Sequence, residues 1–277
     1  WTSYPQMVTL ARAEPVPVAG DPDRNFLLSR ADLDAACTER TRGLILCSPS
    51  NPTGAVYTLE GLREIAEWAK ERDIVLIADE IYREIYFGDD RACAPSILEL
   101  SDESVGPYVL IDGVSKCFAM TGWRIGFAGG PEWIIKAMGK LQSQSTSNPC
   151  SISQAAAVAA LTGPQDFLED RNAVFKKRRD MVVAMLNDAP GLDCPTPEGA
   201  FYVYPDASGV IGKTTPKGAV IDSDEALIGY FLDEAKVAAV HGAAFGLSPA
   251  FRISYATSDD VLRKACTRIQ EACAALK

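Results

Sequence analysis

Two short apolar runs, Gly43-Leu44-Ile45-Leu46-Cys47 and Ile74-Val75-Leu76-Ile77-Ala78, flank a segment from Leu59 to Arg72 in which Leu59, Leu62, Ala66 and Ala69 recur at intervals of three and four. Such short, unbroken runs read as strands buried on both faces, and the periodic segment reads as a helix that covers them. Thr58 stands where an N-cap belongs, with Glu60 in the first turn. Strand, helix, strand in this order makes a right-handed parallel crossover. The chain is therefore expected in the α/β class, with a mostly parallel sheet covered by helices. Tyr108-Val109-Leu110-Ile111-Asp112 reads as a third strand and Ile125 to Ala128 as a fourth. Gly129-Gly130-Pro131 then starts a helix with Trp133, Ile134, Ala137, Met138 and Leu141 on one face, expected to pack.

Farther on, Ser151 to Leu161 and Pro164 to Leu186 read as helices, the second carrying Lys176-Lys177-Arg178-Arg179, a run expected to be a solvated face. After Asp188-Ala189-Pro190-Gly191 the pattern changes to a smaller α+β part. Its strands are expected at Ala200–Tyr204, Val237–His241 and Phe251–Ala256, followed by a C-terminal helix capped by Ser258. The boundary falls near 170 to 195, giving a large domain over 1–180 and a small one over 181–277.

Polar groups gather where the apolar runs stop, and ligands of open α/β sheets bind beyond the carboxyl ends of strands. The first run ends at Ser48-Pro49-Ser50-Asn51-Pro52-Thr53-Gly54, the second at Asp79 with Tyr82 three residues on. The third leads into Gly113-Val114-Ser115-Lys116-Cys117-Phe118-Ala119-Met120-Thr121-Gly122-Trp123-Arg124-Ile125-Gly126-Phe127. A lysine among small and apolar residues can be desolvated, which favours the neutral amine that attacks carbonyl carbons. Arg124 stays charged in the same setting and reads as an anion clamp. The plainer readings are a proline-rich turn, an aspartate that caps the next helix, and a surface lysine near a salt-bridged arginine.

Taken together, the Ser-Lys-x-x-x-Met-Thr-Gly-Trp-Arg-Ile-Gly wording, Asn-Pro-Thr-Gly at 51–54, Ala-Asp-Glu-Ile-Tyr at 78–82 and Phe-Arg-Ile-Ser-Tyr-Ala at 251–256 resemble the class I/II aminotransferases of pyridoxal-phosphate (PLP) fold type I. The wording is closest to the bacterial aspartate aminotransferases. The resemblance implies that Lys116 holds PLP covalently and then moves a proton as general base and acid. It implies that Asp79 pairs with the pyridine nitrogen, that Tyr82 and Asn51 bind the ring 3-oxygen, and that Arg124 binds the phosphate. Trp1 would stack on the ring, and Arg252 would hold the substrate α-carboxylate, with Asn51 and Trp1 also lining the substrate side. The family often has a phosphate-binding serine where this chain has Gly113. His241 stands where the family often has proline, and it reads as a structural histidine without a catalytic role.

The net charge of −10 argues against a nucleic-acid partner, and no apolar run is long enough to span a membrane. With one histidine the chain lacks the usual zinc ligand sets and any serine–histidine triad, so no metal site is expected. Eight cysteines without a C-x-x-C pair read as reduced core thiols, pointing to the cytoplasm. The expected function is a PLP-dependent aminotransferase acting between an L-amino acid, aspartate favoured, and a 2-oxo acid, with a homodimer sharing its active sites. The alternatives are a PLP-dependent β-lyase or other elimination enzyme with the same residues, and an aminotransferase-like effector domain of a transcription regulator. Beginning at Trp1, the chain also reads as lacking an N-terminal portion that would carry a phosphate-binding loop.

Overall fold

A computed structural model describes residues 1–101 and 103–277, which form two compact units. One comprises Leu27–Ser50 and Ala55–Asn172; the other comprises Trp1–Phe26, Asn51–Gly54 and Ala173–Lys277. The units thus interleave along the chain, whereas the sequence reading divides it once, at 180.

The first of these units is built on a four-stranded sheet. Its strands are β1 (Gly43–Cys47), β2 (Val75–Asp79), β3 (Tyr108–Gly113) and β4 (Gly126–Gly129), in that spatial order. β1, β2 and β3 run parallel, with Cys47 opposite Asp79 and Asp79 opposite Ile111. β4 returns antiparallel, bringing Gly126 opposite Gly113. The crossover between β1 and β2 is α3 (Leu59–Glu71), capped as expected by the Thr58 hydroxyl, which accepts from Gly61 N at 3.1 Å. Two earlier helices are short: α1 (Tyr4–Leu10) in the other unit and α2 (Arg30–Ala36), which a Ser29–Asp32 capping box starts.

Leu46, Leu62, Ile65, Trp68, Leu76 and Ala78 form the core between α3 and the sheet. The β2 row Val75, Ile77, Asp79 is only half-buried, so the strands alternate rather than being buried on both faces. A second departure concerns α4 (Glu132–Ser145), which buries no residue at all. Trp133 is 64% exposed and Leu141 74%, so the apolar face expected to pack is open. Periodicity identifies such a face and is silent on what covers it. α5 (Ser151–Thr162) buries Ala157 alone. α6 (Phe167–Asn187) runs out of this unit at Asn172 and into the other at Ala173.

The other unit holds an antiparallel sheet, β5 (Tyr202–Val203), β7 (Phe251–Ser254) and β6 (Val240–His241) in that order. β5 and β6 are shorter than their sequences predict, and the left-handed backbone of Ala200 at φ 58° precludes strand geometry before β5. Helices α7 (Asp224–Tyr230) and α8 (Asp259–Ala274) complete it, and a π-turn, Phe231–Ala235, extends α7. The basic run of α6 is a solvated face only in part, with Lys177 exposed and its two arginines turned to partners. Arg178 pairs with Asp259 at 2.8 Å, and buried Arg179 donates to Pro197 O at 3.0 Å. Asp259 is the first residue of α8, so the run helps fasten α6 to the start of that helix.

Gly54 ties the Asn51–Gly54 segment into this unit. Its carbonyl accepts from Glu198 N and Gly199 N at 3.1 and 2.9 Å, and at φ 72° a Cβ would stand 2.4 Å from Pro197 Cβ. Gly54→Ala is therefore expected to cost about 2 kcal/mol or more, from left-handed strain plus overpacking. Gly139→Ala in α4, where a Cβ meets nothing within 4 Å, should be neutral or stabilise by up to about 1 kcal/mol. Urea midpoints of the two variants check the contrast.

Candidate active site

The sequence-predicted site residues fall into two groups, one in each unit. Asp79, Tyr82, Lys116 and Arg124 belong to the parallel-sheet unit, and Trp1, Asn51 and Arg252 to the other.

In the first group, strand alternation decides which carboxylate is available. Asp79 closes β2 on the half-buried face, and the next residue, Glu80, turns to the α3 side and is buried. One Asp79 oxygen accepts from Ile81 N at 3.2 Å, so the aspartate shapes the turn that follows, although no helix begins there for it to cap. That turn buries Tyr82, whose ring centre lies 5.4 Å from Lys116 Nζ. Lys116 itself sits on the exit from β3 between buried Val114 and Cys117. Val114 packs with Ile125 and Ala157, Phe118 and Met120 border this cluster, and Arg171 donates to Cys117 O. The lysine is thus half-buried on a loop pinned on both sides. At Gly113 a Cβ would come within 2.8 Å of Ile125 O, so the position that the family often gives to serine is closed here by strand packing. Arg124 is exposed at φ 54° and donates to Thr121 O at 2.9 Å.

Beneath the lysine loop lie two carboxyls that the sequence reading passed over. Asp112 accepts from Gly113 N at 2.6 Å, and burial, with the Glu80 and Glu84 charges, pushes its pKa up to about 6 against the Gly113 bond and Arg83. Burial likewise raises Glu80, whose carboxylate accepts from Ile97 N at 2.8 Å.

In the second group, Arg252 on β7 donates from one terminal nitrogen to Asn51 Oδ1 at 2.7 Å. Its guanidinium carbon lies 4.5 Å from the Tyr202 ring centre and 5.1 Å from that of Phe245. Its Nε is buried and has no hydrogen-bond partner among the described residues. Trp1 stands 47% exposed, its amino terminus donating to Asn51 O at 3.1 Å. The aromatic walls of Arg252 went unread, Tyr202 because it looked like an ordinary strand residue. Phe245 carried a faint signal, an aromatic enclosed by Gly242 and Gly246.

The family described as aminotransferase class I and II matches residues 1–269. The chain belongs to that family. An aspartate/prephenate aminotransferase of Cereibacter sphaeroides is 53% identical over 279 residues, spanning 100% of this chain and 69% of that protein. An aspartate aminotransferase of Rhizobium meliloti is 49% identical, spanning 99% and 66%. The crystal structure of the aspartate aminotransferase from Rhizobium meliloti matches with a TM-score of 0.94 at 48% identity, over 100% of this chain and 69% of that one.

Asp112 gives this aminotransferase chain a testable pH signature. A carboxyl whose folded pKa is raised binds its proton more tightly in the folded state, so stability is lost as pH rises from its ordinary 3.8 through about 6. Asp112→Asn keeps an oxygen for Gly113 N and removes the charge. It should raise the melting temperature at pH 8, with the gain shrinking below pH 6 and gone near pH 4. Melting curves of both proteins across that range check it.

Proposed function

We propose that this chain is the catalytic part of a PLP-dependent transaminase that moves the amino group of an L-amino acid, aspartate favoured, to a 2-oxo acid. The observation that carries the reading is Lys116 at the exit of β3, half-buried on a pinned loop beside the Tyr82 ring. The donor set of that unit fits PLP: an amine for its carbonyl carbon, the Asp79 carboxylate for its ring nitrogen, the Tyr82 phenol for its ring oxygen and the Arg124 guanidinium for its phosphate. Gly113 supplies no hydroxyl, so Arg124 takes a larger share of the phosphate than in relatives with serine. Asn51 commits its side-chain carbonyl to Arg252, which leaves its NH2 group as the half with donors to give to the ring oxygen. Trp1 offers an indole face to the ring.

When bound, PLP supplies a sink for the electron pair left when the substrate Cα–H bond breaks. Lys116 would take the proton from the substrate Cα and give it to the carbonyl carbon of the cofactor. The Asp79 carboxylate would keep a proton on the ring nitrogen. Arg252 would bind the α-carboxylate through its planar donors and hold it in one orientation. The reported relatives are named as aminotransferases, which supports transfer over elimination. Aspartate follows from their names, and prephenate, itself a 2-oxo acid, joins 2-oxoglutarate as an acceptor to assay. The cysteine spacing and acidic charge fit a cytoplasmic enzyme, and sharing of sites in a homodimer belongs to the same proposal.

Lys116→Ala is expected to lower kcat by about 10⁴-fold, the upper range for a positioned base. Borohydride should then fix no cofactor to the protein, where the native enzyme retains it on the peptide containing Lys116, as read by mass spectrometry. Arg252→Lys should raise KM for aspartate and for the 2-oxo acid together. Loss of one charged hydrogen bond is worth about 1.5–3 kcal/mol, roughly ten- to a hundredfold in KM. Steady-state kinetics with both substrates checks this, and unchanged values would move the carboxylate site elsewhere.

A further inference from the structure

A guanidinium that recognises a carboxylate through two parallel bonds works only if its plane is held still. Of the two rings that border Arg252, Tyr202 is fixed by strand pairing, opposite Ser254 of β7. Phe245 is not in a strand. It ends a 3-10 turn, Gly242–Phe245, in the connection from β6 to β7. An aromatic on such a connection can hold an arginine only when the connection is itself tied down.

The tie is Asp224, the first residue of α7 and only 3% exposed. Its Oδ2 accepts from Ala243 N at 3.0 Å and from the Ser248 hydroxyl at 2.7 Å, the two positions that bracket Phe245. Burial opposes its ionisation, yet the Ser248, Ala243 and Ala250 donors and the nearby His241 outweigh this and hold the carboxyl below its ordinary range. Around it Gly242 N bonds Ala250 O at 2.7 Å, and the Tyr204 hydroxyl donates to Leu247 O at 2.7 Å. The Tyr204 ring meets Phe245 edge-on at 6.0 Å. Asp224 is not needed to cap α7, because the Ser223 hydroxyl already accepts from Ala226 N at 3.2 Å.

We propose that Asp224 is a positioning residue for carboxylate recognition. By tying Ala243 and Ser248 to the start of α7 it holds Phe245 against Arg252, so that the guanidinium meets the substrate already oriented. The inference rests on the reading of Arg252 as the α-carboxylate site.

The test uses the PLP-loaded enzyme, with maleate, an unreactive dicarboxylate, titrated calorimetrically and aspartate as substrate. Asp224→Ala should weaken maleate and raise the aspartate KM about tenfold, the scale of a small misplacement transmitted from outside the reacting centre, with kcat changed less than KM. Asp224→Asn, whose carboxamide oxygen still accepts from Ala243 N and Ser248, should restore most of the affinity. Phe245→Leu should weaken maleate comparably, and the double variant Asp224→Ala/Phe245→Leu should be no worse than the weaker single, because both act through one contact. Additive losses, or a lowered melting temperature with unchanged maleate affinity, would reduce Asp224 to a fold brace and overturn the proposal. If Asp224→Ala does not fold, Ser248→Ala removes the same tie from the loop side, and unchanged binding there overturns it equally. Arg252→Lys separates the two levels. Maleate affinity unaltered in that variant removes the carboxylate site and the proposal with it, whereas a loss there without loss in Asp224→Ala and Phe245→Leu removes the proposal alone.

Discussion

A strand packed under a helix has no place for a charge until it ends, and the alternation of side chains decides which face that charge then joins. β2 meets this constraint with two consecutive carboxylates. Asp79 falls on the half-buried face, and Glu80 is sent under α3, where burial raises its pKa and Ile97 N satisfies it. A slip of one residue in the β2 register would exchange the two faces, leaving Glu80 at the ligand side and turning Asp79 under α3 with Val75 and Ile77. The register Cys47↔Asp79↔Ile111 thus fixes more than sheet geometry. It sets the level at which the turn carrying Tyr82 and the loop carrying Lys116 leave the sheet.

Much of this was legible in the sequence because each strand end coincides with a change from apolar to polar residues. β1, α3, β2 and β3 lie where their patterns put them, and Thr58 and Ser258 cap the helices they precede. What escaped was whatever depends on partners remote in sequence. The open face of α4 has the same periodicity as a packed one. The Lys176–Arg179 run looks solvated until Asp259 and Pro197 O, distant in sequence, are seen to meet it. β5 is cut short by a backbone angle at Ala200 that no alternation of residue types reveals. At the candidate site, the family motifs supplied Asp79, Tyr82, Lys116, Asn51, Arg124 and Arg252, all singly distinctive residues. Tyr202 and Phe245 flank Arg252 through ring faces, and in sequence a ring that walls a cation looks no different from one that fills a core.

The two units also solve the placing of a cation differently. Lys116 lies beside the Tyr82 ring on a loop of small and apolar residues, which suits a group that must change partners. Arg252 stands between two rings, with Asn51 on one nitrogen, which suits a group that must stay still. The second arrangement spends no hydrogen bond on its walls, so the remaining N–H groups keep their capacity for an anion.

Of the four tryptophans, Trp68 alone is buried, at 2% exposure with its indole N–H bonded to Asp34 at 2.8 Å. Trp1, Trp123 and Trp133 are exposed. Intrinsic fluorescence of this chain is consequently dominated by water-facing indoles whose emission is already close to that of an unfolded chain, and denaturation shifts the spectrum little. Anything that comes to lie over α4 dries Trp133 and moves the emission to the blue. The optical signal of this protein reads what settles on its surface more readily than it reads the loss of its fold.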